Sequence, residues 1–149
     1  MAVVELRQLN ALTLPDIQLL LKNAVESGAL LAPNGFDTVA GDMIDFVRNE
    51  HEFMLLGAEN GKFRGVIMGY LPVGNLFPYP TVVLFYNEGT RKLAREMQEA
   101  LLDFMMARGY TRVLAVNSSG KKDDVWLRGM TPEGALSYIT GSLVMFEVE

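Results

Sequence analysis

The segment TVVLFYNEGTRKLAREMQEALLDFMMARGYTRVLAVN, residues 81–117, contains two strand patterns with one helical pattern between them. Its first six residues are apolar, aromatic or β-branched, which predicts a buried strand. A helix follows, with an apolar stripe at helical spacing and a stop at Gly109. The stripe consists of Leu93, Met97, Ala100, Leu101, Phe104 and Met105. Residues 112–116 predict another strand. Because a helix joins the two strands, we expect them to be adjacent, parallel and divergent at their carboxyl ends.

Basic side chains crowd the start of this helix. Arg91, Lys92 and Arg95 lie in its first turns, and the acidic residues four positions later are in the weaker order for pairing. A helix N-terminus already carries about half a positive charge, so each cation there is unfavourable by a few tenths of a kcal/mol. One interpretation is a solvated surface that tolerates this penalty. The other is an anion site, in which the backbone amides and cations from Gly89 and Thr90 onward bind a phosphate.

The rest of the chain continues the alternation of strand and helix patterns. Asn60-Gly61 separates two apolar runs, which is typical of a hairpin turn. The further elements are strands at 3–9, 53–58, 63–71, 135–139 and 142–148, and helices at 13–27, 37–50 and 122–130. This order predicts one α/β domain, residues 1–149, with a mixed, mostly antiparallel sheet of six to seven strands and four helices. The fourth and fifth strands are the parallel pair.

Composition excludes several classes of protein. The net charge is −5 and no segment is strongly basic, which argues against a nucleic-acid binder. The chain has no cysteine and a lone histidine, His51, so neither a thiolate nor a histidine cluster can bind a metal. His51 is either an acid–base group or a solvated link. No signal peptide or membrane span is apparent, and we expect the cytoplasm of the producing cell.

The element order, and above all residues 81–117, resembles the GNAT superfamily of N-acetyltransferases. In that family the loop after the fourth strand holds the pyrophosphate of acetyl-CoA, with the usual signature Arg/Gln-x-x-Gly-x-Gly/Ala. The corresponding loop here, NEGTRK, is shorter and has one glycine. The resemblance implies acetyl-CoA as cofactor and a GNAT-like sheet. The cofactor-binding positions that it implies are Phe85, Tyr86, Asn87, Gly89, Thr90, Arg91, Lys92, Asn117 and Trp126.

Two functions follow from this resemblance. One is acetyl transfer from acetyl-CoA to a small-molecule or peptide amine. Its catalytic residues are unassigned, although Glu88 or Glu52 could remove the amine proton. The alternative is a GNAT-like domain without catalysis, a structural or interaction protein similar to short chains of tailed phages, in which case we expect it in the virion. The family's tyrosine acid has no counterpart, and Trp126 lies nearest to it.

Two further features have open interpretations. The loop NLFPYP begins at Asn75 and ends at Pro80, and it exposes Leu76, Phe77 and Tyr79 on a proline-stiffened backbone. It is a candidate substrate lid or a contact for a second copy or a protein partner; otherwise it folds onto its own sheet. Trp126 either covers a ligand cleft or anchors a short helix.

Overall fold

The computed structural model describes residues 3–5, 14–29, 51–72 and 78–116. These residues form five strands and two helices, in the predicted order. The elements are β1 (Val3–Glu5), α1 (Leu14–Glu26), β2 (Glu52–Glu59), β3 (Lys62–Tyr70), β4 (Thr81–Asn87), α2 (Arg91–Met106) and β5 (Leu114–Ala115). The other predicted elements, at 37–50, 122–130, 135–139 and 142–148, lie outside the described residues, so six to seven strands and four helices stay a prediction. Neither described helix has both the length and the hydropathy that a membrane span requires.

The strands form one mixed sheet in the order β1-β2-β3-β4-β5. The first three pairings are antiparallel, and β4 pairs with β5 in parallel. The Leu114 amide donates to the Pro80 carbonyl, and the Val116 amide donates to the Val82 carbonyl, both at 2.9 Å. The predicted adjacent, parallel strands are therefore confirmed. Their predicted divergence concerns residues after Val116, which lie outside the described part of the chain.

The β2–β3 hairpin has the tight turn that its sequence predicts. Asn60 and Gly61 have φ angles of 53° and 75°. Positive φ at both central residues is the requirement of a type I′ turn, whose twist matches that of the strands. Beyond the turn the register between β2 and β3 shifts by one residue. Gly57 pairs with Gly65 and Ala58 pairs with Phe63, so Arg64 is the extra residue of a bulge in β3.

The two helices cover opposite faces of the sheet. The apolar side of α1 is buried at Ile17, Leu20 and Leu21 and packs on one set of alternate strand residues. The stripe of α2 packs on the other set. The first set is Met54, Leu56, Val66, Met68 and Leu84, and the second is Phe53, Leu55, Ile67 and Val82. The alternation has a period of two in β2 and β3, and it shifts by one residue in β4 between Val82 and Leu84, where the pairing with β3 is irregular. Successive strand residues are apolar because both faces of the sheet are covered.

Glycines in the sheet let α2 approach it closely. A Cβ atom on Gly65 would lie 2.3 Å from Met97 Sδ, and one on Gly57 would lie 3.0 Å from Leu93 Cδ1. A larger residue at Gly65 would therefore displace the helix or the fully buried Met97.

The C-terminal end of α2 is bound by Arg108. Its Nη1 donates to the Phe104 carbonyl at 3.0 Å, and its guanidinium carbon lies 3.5 Å from the centre of the Phe104 ring. Its Nη2 lies 3.6 Å from Glu5 Oε2 on β1. Gly109, with a φ of 81°, ends the helical segment as predicted.

Candidate functional site

A three-residue connection, Glu88 to Thr90, links β4 to α2, and side chains at its two ends hold it together. Asn87 closes it, because its Oδ1 accepts the Gly89 amide at 2.9 Å and its Nδ2 donates to the Thr90 carbonyl at 3.0 Å. Thr90 is the N-cap, with an extended backbone and an Oγ1 that accepts the Leu93 amide at 3.3 Å. A threonine N-cap satisfies one of the four amides that a helix start leaves unpaired.

A carboxylate from another strand also reaches this helix start. Glu59, the last residue of β2, accepts the Thr90 amide at 3.3 Å through Oε1 and a short hydrogen bond from the Thr90 hydroxyl through Oε2. A Cβ atom on Gly89 would lie 3.0 Å from that Oε1, so glycine leaves the space that the carboxylate uses. Glu59 is thus an acidic group at the positive end of the helix dipole.

The sequence patterns do not identify Glu59 as part of this site. A signal for it exists in the strand order. Because β2 and β4 are both antiparallel to β3, they run in the same direction, and their carboxyl ends lie at the same edge of the sheet. An acidic residue at the end of β2 is therefore a neighbour of the β4–α2 connection.

The three cations of α2 are placed as the sequence predicts. Arg91, Lys92 and Arg95 are exposed on the first turns of the helix. Across 3–5, 14–29, 51–72 and 78–116, no carboxylate lies within ion-pair distance of any of the three. Within these ranges, the three charged groups face solvent.

A polar cluster lies on the α1 face at the carboxyl end of β4. The Tyr86 hydroxyl donates to Glu88 Oε2 at 2.9 Å, and Asn23 Nδ2 donates to the same oxygen at 3.3 Å. The Glu88 amide donates to the carbonyl of the bulged Arg64 at 2.8 Å. Burial raises the pKa of Tyr86 above its usual range, and the hydrogen bond and charge of Glu88 raise it further. The Glu88 carboxylate is exposed, and two side chains donate to its Oε2.

The other carboxylate that the sequence singles out is far from this edge. Glu52 pairs with Tyr70, and Tyr70 pairs with Thr81, the first residue of β4. The length of β4 therefore separates Glu52 from Glu88, which is about 20 Å at the usual rise per residue. His51, exposed, is next to Glu52 at that opposite end. Of the two candidate bases, Glu88 alone adjoins the start of α2.

The remaining predicted positions divide into two groups. Phe85 is half-buried against the α2 side of the core, and Tyr86 points to the α1 side. Asn117, Trp126 and the first part of the NLFPYP loop lie outside the described residues. At the end of that loop, Tyr79 is 36% exposed.

No protein-family model matches the chain, and no characterised protein matches its sequence. Solved structures match nearly its whole length. It is similar to ribosomal-protein-alanine N-acetyltransferase from Brucella melitensis biovar Abortus 2308, with 14% identity, a TM-score of 0.67 and 97% of this chain and 98% of that chain covered. It is also similar to AAC(6')-Iy in complex with the bisubstrate analogue CoA-S-monomethyl-acetylneamine, with 14% identity, a TM-score of 0.62 and coverage of 96% and 97%. The chain has the GNAT fold.

A third similar structure has the same implication. It is the aminoglycoside antibiotic 6'-N-acetyltransferase AAC(6')-Ih from Acinetobacter baumannii, with 13% identity, a TM-score of 0.66 and coverage of 99% of this chain and 97% of that chain. At such low identity the likeness shows the GNAT fold alone, since one fold supports many activities.

The start of α2 in this GNAT fold fits a diphosphate group in part. The Arg91 and Lys92 amides belong to the first turn, where no intrahelical acceptor is available, and their side chains supply two positive charges. The Gly89 and Thr90 amides, by contrast, already donate to Asn87 and Glu59. A bound diphosphate would use the first pair, whereas the Thr90 donors are occupied by Glu59.

Proposed function

We propose that this GNAT-fold chain, as a single domain, transfers an acetyl group from acetyl-CoA to the amine of a small molecule or peptide. The observation that carries the proposal is the charge arrangement at the carboxyl end of β4. Three cations without carboxylate partners among the described residues lie at the start of α2. The exposed Glu88 carboxylate lies beside them on the α1 face. The cations at the start of α2 suit a phosphate, and the Glu88 carboxylate suits an amine.

The cofactor-binding residues in this proposal are those of the β4–α2 connection. Arg91 and Lys92 bind the pyrophosphate with their amides and side chains, and Thr90 and Gly89 shape the helix start. Phe85, Tyr86 and Asn87 lie along the strand that leads to it, and Asn117 and Trp126 complete the predicted set. Acetyl-CoA supplies the activated acetyl thioester. The protein contributes the position of the two reactants, which can account for a large part of such a rate enhancement.

Glu88 orients the amine in this proposal. An ammonium group is attracted to its carboxylate, which the Tyr86 hydroxyl and Asn23 amide hold in place. The amine must lose a proton before it can attack a thioester. The pantetheine arm of the cofactor separates the thioester from the pyrophosphate, so Glu88 would accept that proton through intervening water. Neighbours of this fold are named for an aminoglycoside and for a ribosomal-protein alanine. These names support small-molecule and peptide amines as the acceptor classes to screen.

Calorimetric titration with acetyl-CoA tests the proposal. We expect the wild-type protein to bind with millimolar or tighter affinity. Replacement of Arg91 and Lys92 together by glutamine should weaken binding about tenfold or more, because each charged hydrogen bond contributes about 1.5–3 kcal/mol before compensation. The matched control is K22Q/R112Q, which removes two exposed cations elsewhere and should leave the affinity unchanged. Absence of binding by wild type, or equal binding by R91Q/K92Q, contradicts the proposal.

Acetyl transfer is measured separately, as release of free thiol from acetyl-CoA in the presence of aminoglycosides or alanine-terminated peptides. We expect Glu88→Gln to lower kcat for an accepted amine about 10²-fold or more. A variant with unchanged kcat at all pH values would exclude Glu88 as the proton acceptor.

One observation favours a second candidate, a GNAT-fold structural or interaction protein without catalysis, such as a virion component. Glu59 already provides an anion at the helix start, and the connection has a single glycine. If Glu59 is a permanent cap, the positive end of the helix is satisfied without a ligand. This candidate predicts no binding of acetyl-CoA by wild type or by any Glu59 variant.

A further inference from the structure

The Thr90 donors face a negative charge that belongs to the protein itself. Both the amide and the hydroxyl of Thr90 donate to the Glu59 carboxylate. The two residues are 31 positions apart in sequence, so the contact joins the β2–β3 hairpin to the start of α2. It is formed by exposed groups, and hydrogen bonds of this kind exchange readily with water or a ligand.

We propose that Glu59 is an internal competitor of the cofactor phosphates, which occupies the Thr90 donors in the ligand-free protein and leaves them when a diphosphate binds. This inference rests on the proposed function, because it concerns the same phosphate site. In this proposal, Glu59 controls the affinity of the protein for the cofactor. The carboxylate contacts no reacting atom, so its effect is on binding.

Electrostatics gives the direction of the effect. A diphosphate at the Arg91 and Lys92 amides lies next to Thr90, and a carboxylate that stays on Thr90 repels it. Two unit charges about 4 Å apart interact by about 1 kcal/mol even in water. The carboxylate also neutralises part of the helix dipole that would otherwise attract the phosphate. Its removal should therefore strengthen binding.

Gly89 leaves room for the Glu59 carboxylate beside the connection. A Cβ atom there would lie 3.0 Å from Glu59 Oε1 and 3.2 Å from Asn87 Oδ1. Glycine thus leaves both acceptors room beside the connection. The β2 backbone need not move when the Glu59 side chain rotates away, because its strand is held by pairing with Lys62.

The test is calorimetric titration of the full chain with coenzyme A and with inorganic pyrophosphate. Glu59→Gln keeps an oxygen that can accept from Thr90 but removes the charge, and it should lower the Kd for both probes about fivefold. Glu59→Asp keeps the charge on a shorter side chain and should have a smaller effect. The control is Glu99→Gln, an exposed α2 residue whose replacement changes the net charge equally. It should leave both Kd values within about twofold.

The outcomes separate the inference from the proposed function. Tighter binding by Glu59→Gln alone supports both. Equal binding by wild type and Glu59→Gln overturns the inference and leaves the proposed function intact. Equal strengthening by Glu59→Gln and Glu99→Gln also overturns it, because net charge then explains the effect. Absence of binding by every variant overturns the inference and the proposed function together. Far-UV circular dichroism and thermal unfolding confirm that each variant is folded.

Discussion

The two ends of α2 are both bound to the β1–β2 side of the sheet by a glutamate, yet their charge balance differs. At the C-terminal end, Arg108 donates to the Phe104 carbonyl and lies near Glu5. The Arg108 guanidinium thus lies near the Glu5 carboxylate and near the negative end of the α2 dipole. At the N-terminal end, Glu59 meets the positive end of the dipole through Thr90, but three cations are added beside it. At the C-terminal end the cation Arg108 has a carboxylate partner, although the exposed Asp103 also lies in the last turn. At the N-terminal end three cations have no carboxylate partner among the described residues.

We infer from this difference that the charged residues at one end of α2 stabilise the fold and that those at the other end bind a ligand. A charge that matches the dipole and has a partner stabilises the fold, whereas unmatched charge at the wrong end of a helix is slightly unfavourable. Residues of the first kind should affect stability and leave ligand affinity alone. Residues of the second kind should do the reverse.

The largest effect on stability is expected at the C-terminal end. Phe104 is 8% exposed, its ring centre lies 5.1 Å from that of Phe53, and it underlies Arg108. Phe104→Ala should reduce the free energy of unfolding by about 3–5 kcal/mol, measured by urea denaturation, because it leaves a cavity and removes both contacts. Phe104→Leu is the matched control and should lose less than half as much. A loss under about 1 kcal/mol for the alanine variant would mean that this end is not anchored by packing.

The next effect concerns the N-cap. Thr90→Ala should reduce the free energy of unfolding by about 1 kcal/mol, because it removes the hydroxyl that accepts from Leu93 and donates to Glu59. Thr90→Ser keeps that hydroxyl and should stay within a few tenths of a kcal/mol of wild type. Equal losses in both variants would show that the Thr90 methyl group, and no hydrogen bond, determines the stability of this end.

A smaller effect is expected from Arg108. Its side chain is 36% exposed, so its ion pair with Glu5 is screened by solvent. Arg108→Gln should cost about 0.5–1 kcal/mol, mainly through the lost contact with the Phe104 ring. In a double-mutant cycle with Glu5→Gln, the coupling energy should be below about 0.5 kcal/mol. A larger coupling would make the ion pair, instead of the ring contact, the main tether at this end.

The smallest effect is expected where ligand affinity should change most. R91Q/K92Q should leave the free energy of unfolding unchanged or raise it by a few tenths of a kcal/mol, because two cations leave the positive end of the dipole. Thermal and urea unfolding measure this directly. If the variant instead loses more than about 1 kcal/mol, the cations have structural partners and the contrast between the two ends disappears.

Much of the fold can be predicted from the sequence, because its signals are local. The stripe of α2 repeats at helical spacing, and Asn60-Gly61 has the chemistry of a type I′ turn, so both elements occur where they are expected. The fifth strand is expected at 112–116, and its pairing is observed at Leu114–Ala115. That difference is of the size that is usual at strand ends, where pairing and not composition sets the boundary.

The site could be predicted only where its residues are consecutive. The cations at the start of α2, and Gly89 and Thr90 before them, follow from one short segment. The partners of that segment do not, because Glu59 lies 31 residues from Thr90 and Asn23 lies 65 residues from Glu88. Such contacts depend on which strand ends share an edge and on which face each residue points to. Local sequence patterns contain neither kind of information. The sequence alone therefore does not distinguish Glu59 from any other acidic residue that precedes a hairpin turn.

The two-residue turn at Asn60-Gly61 also fixes the position of the Glu59 carboxylate. Glu59 immediately precedes it and points to the α2 face, as Phe53 and Leu55 do at alternate positions of β2. A slip of one residue in strand register would turn each affected side chain to the opposite face. An insertion that shifts the end of β2 in this way would carry the Glu59 carboxylate away from Thr90 and towards the α1 side. Loop length alone could thus tune the affinity of the helix start for anions over evolution, with every charged residue retained.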